Sequence, residues 1–439
     1  MRVKNTLIIA EWQRFGVEDI EKEGIIPTQA QKIFNELVDF AHQEGNHCFL
    51  KFKNSQTLVA QNYVGLIQTK SGFCVEILPK TFQTTNKSQG FEAQKDEDKK
   101  QELIETAKNL LLRMLQALKN SPFKYNQLAS LKVQNMPLLE IFVLMFLNEL
   151  DNLVKKGLKS NYTTQEENRK FLKGKLLFNQ NLRYNLVHKE RFFTASDEFS
   201  ANIAPNRIIK STLELLSRQT FSPKLYARLT QMRFIFADIA SSQNIDKDLS
   251  QCATSRLFNA YDLVLQWCKV FLKKQAFTPY QGSAKAFALL FDMNKLFESF
   301  VASELRKPEV RKRVLKKNCD DEIHIKTQET SKFLAQEENG QVRFCLKPDI
   351  VGYEKEDKDL KPVFIADTKW KILNDDSKNY GISQNDMYQM FAYLTKYECE
   401  QGFLIYPEIA NNDSKSKIFT FEYNSKTALA ICFFPLQDK

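Results

Sequence analysis

The chain has 439 residues, enough for about three domains of ordinary size, and 43% of them are hydrophobic, so it can bury genuine cores. Glycine (13) and proline (12) are scarce while phenylalanine (35) is abundant, which excludes a disordered or collagen-like chain. A net charge of +10 suits a polyanion such as nucleic acid, and the polar start Met1-Arg2-Val3-Lys4-Asn5 and the lack of any apolar run of about 18 residues exclude a signal peptide and a membrane span, so a cytoplasmic protein is expected.

Residues 1 to about 82 read as β-rich. Val64 to Gln68, a turn at Ser71-Gly72 and the alternation of Phe73, Val75 and Ile77 predict a hairpin. A helix is expected near Thr28 to Glu44, where Ile33, Leu37 and Phe40 keep helical spacing. Residues 83 to about 100 are polar and predict a linker or an exposed helix start. Helices then follow over Leu103–Leu118, Pro137–Leu158, Asn206–Ser217, Pro223–Ala240 and Ala253–Lys274, with Lys173 to Phe178 as a short strand or loop.

The last third changes character. A helix over Asp292–Leu305 precedes a stretch, Arg306 to Lys317, with seven cations in twelve residues. After it come strands over Val342–Tyr353 and Val363–Trp370, a helix over Ser383–Tyr397 and a strand over Gly402–Tyr406. The expected fold is α+β and multidomain. A β-rich domain spans 1–95, a mostly helical region that is a candidate for partner docking spans 96–285, and a mixed sheet flanked by helices spans 286–439.

No two of the eight cysteines are spaced C-x-x-C, and the four histidines do not cluster with them, so no zinc site is expected. The chemistry is sought in carboxylates. In Lys347-Pro348-Asp349-Ile350, Phe344, Leu346 and Ile350 are expected on one strand face and Asp349 on the other, with a bulge or strand end at Pro348. Eighteen positions on, Asp367 and Lys369 stand two apart on a strand and share a face. Two carboxylates on neighbouring strands suit Mg²⁺, with Mn²⁺ as a substitute and the Thr368 carbonyl as a further oxygen. Glu298, on the edge of an apolar helical stripe, would complete the metal ligands. Lys369 is placed to position the attacking water or stabilise the transition state. Gln389 and Tyr393, four apart on a helix, share a face and can orient a DNA phosphate or Lys369. Arg311, Lys312 and Arg313 in the basic stretch are candidates for tracking a DNA backbone, against the plain alternative of a charged surface.

Asp349, Asp367-Thr368-Lys369 and Gln389-x-x-x-Tyr393 resemble the PD-(D/E)xK nuclease superfamily in its RecB-like form. The phrases around Phe364 to Lys371 and Ile382 to Tyr393, the helix Met293 to Phe300, and the outlying Asn62-Tyr63-Val64-Gly65, Glu76 to Lys80, Leu172 to Leu176 and Asn206 to Leu213 resemble the McrC family, nuclease subunits of McrBC-type modification-dependent restriction systems. The resemblance implies a restriction-endonuclease-like fold for 286–439 and a Mg²⁺-dependent endodeoxyribonuclease that works with a McrB-like hexameric AAA+ GTPase, stimulates its GTP hydrolysis, and cleaves double-stranded, modified DNA. The absence of G-x-x-x-x-G-K-[ST] agrees that this chain binds no nucleotide itself. The basic segment Lys155 to Lys189 is a candidate for reaching the ring. Two other readings are a stand-alone repair nuclease of the RecB or Cas4 type, which the unclustered cysteines weigh against, and a non-catalytic DNA-binding scaffold of an AAA+ ring, which the intact acids and lysine weigh against.

Overall fold

The computed structural model describes residues 5–80, 97–118, 122–123, 136–253, 260–272, 287–316, 323–356, 359–374, 376–408, 417–421 and 424–436. Most of the polar 83–100 stretch, parts of the 253–274 helix, Lys317 and both expected domain boundaries lie outside them. The fold is mixed α and β with several sheets and, among the described residues, twelve α-helices. The chain divides into two compact units, one of residues Met1–Met136 with Ala276–Lys439, the other of Pro137–Gln275.

The first unit begins with β1 (Thr6–Ala10), β2 (Arg14–Gly16), α1 (Val17–Glu21), α2 (Pro27–His42), β3 (Leu50–Asn54), β4 (Thr57–Ala60), β5 (Tyr63–Gln68), β6 (Cys74–Leu78) and α3 (Glu97–Ala117). The expected hairpin is β5 antiparallel to β6, and β1 runs parallel beside β6. Helix α2 buries Ile33, Leu37 and Phe40 against Leu7, Ile9, Ile67, Val75 and Ile77, so its spacing is that of a core face. Helix α3 is tied to β6 by the buried ion pair of Lys108 and Glu76, 2.7 Å apart.

The second unit holds α4 (Leu138–Lys155), β7 (Asn161–Arg169), β8 (Lys175–Leu176), α5 (Phe178–Asn185), β9 (Phe192–Ser200), α6 (Ala204–Ser217), α7 (Pro223–Ile235), α8 (Ile245–Ala253) and α9 (Asp262–Leu272). Helix α4 is buried along most of its length, and Phe142 and Phe146 pack against Trp267 and Phe271 of α9. Strands β7, β9 and β8 form a small antiparallel sheet. Gly174 has φ +77°, and a Cβ there would stand 2.3 Å from the Ala195 carbonyl oxygen, so the turn into β8 needs glycine.

The chain then returns to the first unit through β10 (Phe287–Asp292), a strand without a clear sequence signal. It pairs antiparallel with β5 and completes the four-stranded order β1-β6-β5-β10. Gly65, at φ +132°, lets the two backbones meet, since a Cβ there would lie 2.0 Å from the Leu289 oxygen. Helix α10 (Met293–Glu304) starts at the end of β10, capped by Asp292, whose carboxylate accepts the Asn294 N–H at 2.9 Å. Helix α11 (Pro308–Leu315) follows.

The remaining elements are β11 (His324–Thr327), β12 (Phe333–Gln336), β13 (Val342–Cys345), β14 (Ile350–Glu356), β15 (Asp359–Thr368), α12 (Gln384–Tyr397), β16 (Gln401–Glu408), β17 (Lys417–Phe421) and β18 (Asn424–Pro435). Six of these strands form a mixed sheet in the order β11-β14-β15-β16-β18-β17. Helix α12 covers one face, burying Met390, Tyr393, Leu394 and Tyr397 with Val351, Ile365, Leu404 and Ile431. Phe297 and Phe300 of α10 pack edge-on against Phe434 of β18.

One expectation is corrected. Phe344 does not share a face with Leu346 and Ile350: it lies on the separate β12–β13 hairpin at φ +59°, 74% exposed, while Leu346 and Ile350 are buried. Pro348 has no N–H to give a ladder, so the strand expected over 342–353 breaks before β14 and frees the preceding residues for the hairpin.

Candidate active site

Asp367 and Ile365 stand two apart on β15, and Ile365 packs under α12, so Asp367 projects toward the same helix. Asp349 sits in the break just before β14, whose Ile350 pairs with Ala366, and this register brings the two acids onto adjoining strands. Asp349 Oδ2 accepts both the Thr368 backbone N–H at 2.9 Å and the Thr368 hydroxyl at 2.8 Å. Thr368, whose carbonyl is the further oxygen expected from the sequence, thus also fixes the first acid.

Lys369 follows Thr368 at the end of β15, its N–H donating to the Ile405 carbonyl of β16 at 2.9 Å. Its ammonium lies 2.7 Å from Asp367 Oδ2 and 3.3 Å from Asp386 Oδ1, and donates to Gln389 Oε1 at 3.0 Å. The Gln389 amide in turn donates to the Tyr393 hydroxyl at 2.8 Å, which donates to the Lys347 carbonyl at 3.0 Å. The structure therefore brings Asp349, Asp367, Lys369, Gln389 and Tyr393 together.

Glu298, half-buried on α10, reaches this group through Gln328. The Gln328 amide nitrogen donates to Glu298 Oε1 at 2.6 Å and to Asp349 Oδ1 at 3.0 Å. Gln328 and Asp386 carried no notice in the sequence reading. Asp386 had a usable signal, standing three residues before Gln389 and seven before Tyr393 on one helical face. Gln328 had none, being one residue beyond a four-residue strand.

Burial, then the neighbouring Asp349 charge, push Glu298 up to about 7 and Asp367 up to about 6. Burial also raises Asp349, against the hydrogen bonds from Thr368 and the charge of Lys369. Burial pulls Lys369 down, but Asp367 and then Asp386 outweigh it, so the ammonium holds its proton above the ordinary lysine range. Mutually raised acids around one lysine mark a place with a deficit of positive charge.

That donor set is all oxygen, which fits a hard divalent cation. Among the described residues no group of three or more His, Cys, Asp or Glu side chains is arranged to hold a metal ion. The fit rests on the pair Asp349 and Asp367, with Glu298 beyond the Gln328 amide.

The basic stretch is only partly surface. Lys312 and Arg313 of α11 are exposed, whereas Arg311 is fully buried and donates to the Leu305 carbonyl at 3.1 Å. Arg311 is thereby removed from the residues that can face a DNA backbone, because α11 packs one side inward and Arg311 falls on that side with Val314 and Leu315. No helix among the described residues is long and apolar enough to cross a membrane.

Residues 58–407 match the family described as McrBC 5-methylcytosine restriction system component. In fold the chain resembles a chain of a Thermococcus gammatolerans structure described as a half-complex from a tetradecameric assembly of McrB AAA+ hexamers with bound McrC. The TM-score is 0.62 at 18% identity, covering 98% of this chain and 94% of that one. A second structure, the cryo-EM Thermococcus gammatolerans McrBC complex, matches with TM-score 0.45 at 21% identity over 67% of this chain and 85% of that chain. No curated protein matches. The family match covers most of the chain and includes Glu298, Asp349, Asp367, Lys369, Gln389 and Tyr393, and the chain belongs to the McrBC 5-methylcytosine restriction system component family.

Proposed function

We propose that this chain is the McrC-type nuclease subunit of a restriction complex and hydrolyses DNA phosphodiesters in a PD-(D/E)xK site. The observation that carries the reading is the convergence of Asp349, Asp367 and Lys369 at the adjoining ends of two strands, with Gln389 holding the lysine. Asp349 and Asp367 would hold Mg²⁺, which when bound supplies an acidified water and charge neutralisation at the scissile phosphate. Lys369 keeps its proton between two carboxylates, so its part is electrostatic: it aligns the nucleophile and offsets charge building on the phosphate oxygens. Gln389 and Tyr393 fix the ammonium, limiting the freedom of a side chain that otherwise samples many rotamers. Lys312 and Arg313 are exposed and offer sequence-independent contacts to DNA phosphates.

A McrB-like AAA+ GTPase hexamer is the proposed partner, by fold resemblance to the Thermococcus gammatolerans chain. The second unit supports such docking, since it exposes Phe171 and Leu172 between β7 and β8, Phe178 and Leu182 on α5, and Leu186 and Val187 just after α5. Exposed apolar side chains in that density along residues 171–187 mark an interaction surface. Removing residues 173–190 is expected to abolish GTPase stimulation.

The deciding experiment is Asp367→Ala, assayed with the partner ring, GTP and Mg²⁺ on methylated duplex DNA. Cleavage is expected to vanish while GTPase stimulation persists. Cleavage that survives the substitution sinks the catalytic assignment.

A further inference from the structure

We propose that Gln328 is a side-chain latch on the acid cluster, which occupies the position between Glu298 and Asp349 until a divalent cation displaces it. The inference rests on the reading of these acids as a cation site. Asp349 Oδ2 already receives two hydrogen bonds, from the N–H and the hydroxyl of Thr368. Oδ1 is therefore the oxygen left to face a ligand, and it receives the Gln328 amide. The same amide nitrogen lies 2.6 Å from Glu298 Oε1, so one N–H₂ group bridges two carboxylates. A cation joining those two oxygens needs the place that Nε2 fills.

The backbone is built to hold the latch there. Gln328 adopts φ +54°, the left-handed region that a non-glycine residue enters at a cost, and its own N–H donates to the Asp349 carbonyl at 3.0 Å. That main-chain bond stays in place when the side chain swings, so exchange requires rotation of one side chain and no change in β11 or β14. An amide offers only partial positive charge to two acids, while a divalent cation offers full charge, so the exchange runs in the direction of the cation. The arrangement satisfies both acids in the absence of metal and sets a threshold for loading.

The test is Mn²⁺ binding to the full-length chain without DNA, by calorimetry and by the electron paramagnetic resonance of free Mn²⁺. Gln328→Ala and the near-isosteric Gln328→Met are expected to bind Mn²⁺ about tenfold more tightly than the parent, because the competing hydrogen bonds to charged groups are gone. Both variants should show a larger Mn²⁺-induced rise in melting temperature, a readout independent of cleavage. Unchanged or weaker Mn²⁺ binding in both variants overturns the latch. Asp349→Asn and Asp367→Asn separate this from the parent reading: if either substituted chain binds Mn²⁺ as tightly as the parent, the cation site itself is wrong.

Discussion

The indole Nε1 of Trp370 donates to the buried carboxylate of Glu11 at 2.5 Å, across 359 positions of sequence. Glu11 follows β1 and also accepts the Lys80 N–H at 2.9 Å, while the Lys80 ammonium donates to the Trp370 carbonyl at 2.7 Å. The Trp370 indole also packs on the ring of Phe297, the residue before Glu298. Trp370 is the residue after Lys369, so the N-terminal sheet braces both the lysine and the helix that carries Glu298. Strand β10 does the same from another direction, since α10 grows from its end.

This bracing predicts strong coupling. Glu11→Ala should destabilise by about 2–4 kcal/mol, because it leaves the buried Trp370 indole N–H and the Lys80 N–H without their acceptor, and Trp370→Phe by about 1–3 kcal/mol, because it removes one of the two hydrogen bonds to the buried carboxylate. Their double variant should show a coupling energy of about 1–3 kcal/mol in denaturant unfolding. Strict additivity of the two losses refutes the brace.

Acid–base linkage gives a second prediction. Asp367 and Glu298 hold protons up to about 6 and about 7, above the ordinary carboxylate range. Between the ordinary range and about pH 7 the folded chain therefore binds more protons than the unfolded one, and stability falls as pH rises through that window. In the presence of a chelator the melting temperature should drop between about pH 4 and about pH 7. Asp367→Asn should flatten that slope and stabilise the chain by about 1–2 kcal/mol at the alkaline end, while removing cleavage. A steeper slope in the variant contradicts the assignment.

The chain of hydrogen bonds behind Lys369 sets an order of effects. Lys369→Ala should lower the cleavage rate about a thousandfold, the scale of one lost transition-state donor. Gln389→Ala removes a hydrogen bond to the ammonium and should cost about tenfold, and Tyr393→Phe, one step further out, about threefold. Single-turnover rates in the assembled complex measure all three. A Tyr393→Phe defect as large as that of Lys369→Ala would point to a direct role for the phenol.

The basic helix separates structure from binding. Arg311→Ala should destabilise by about 3 kcal/mol, since its guanidinium is fully buried. Lys312→Ala and Arg313→Ala should leave the melting temperature unchanged and weaken DNA binding for every sequence, each reducing the salt dependence by about one ion. Filter binding across a salt series reads this, and no change in slope for either variant removes α11 from the DNA-facing surface.

The sequence by itself determined the local relationships. Asp367 shares a face with Lys369, and Gln389 with Tyr393, because two-residue and four-residue spacings are intrinsic to strand and helix. The hairpin of β5 and β6, the face of α2 and the break at Pro348 follow from the same short-range rules. Tertiary structure alone decided which of those faces meet. That Gln328 lies between Glu298 and Asp349, that Glu11 holds Trp370, that β10 joins the N-terminal sheet, and that Arg311 turns inward while Phe344 turns out are all set by packing between remote segments. Periodicity states which side chains point together, but the partner of a face is chosen by the burial and hydrogen-bond satisfaction of the whole fold, and that information is not carried in any one stretch of chain.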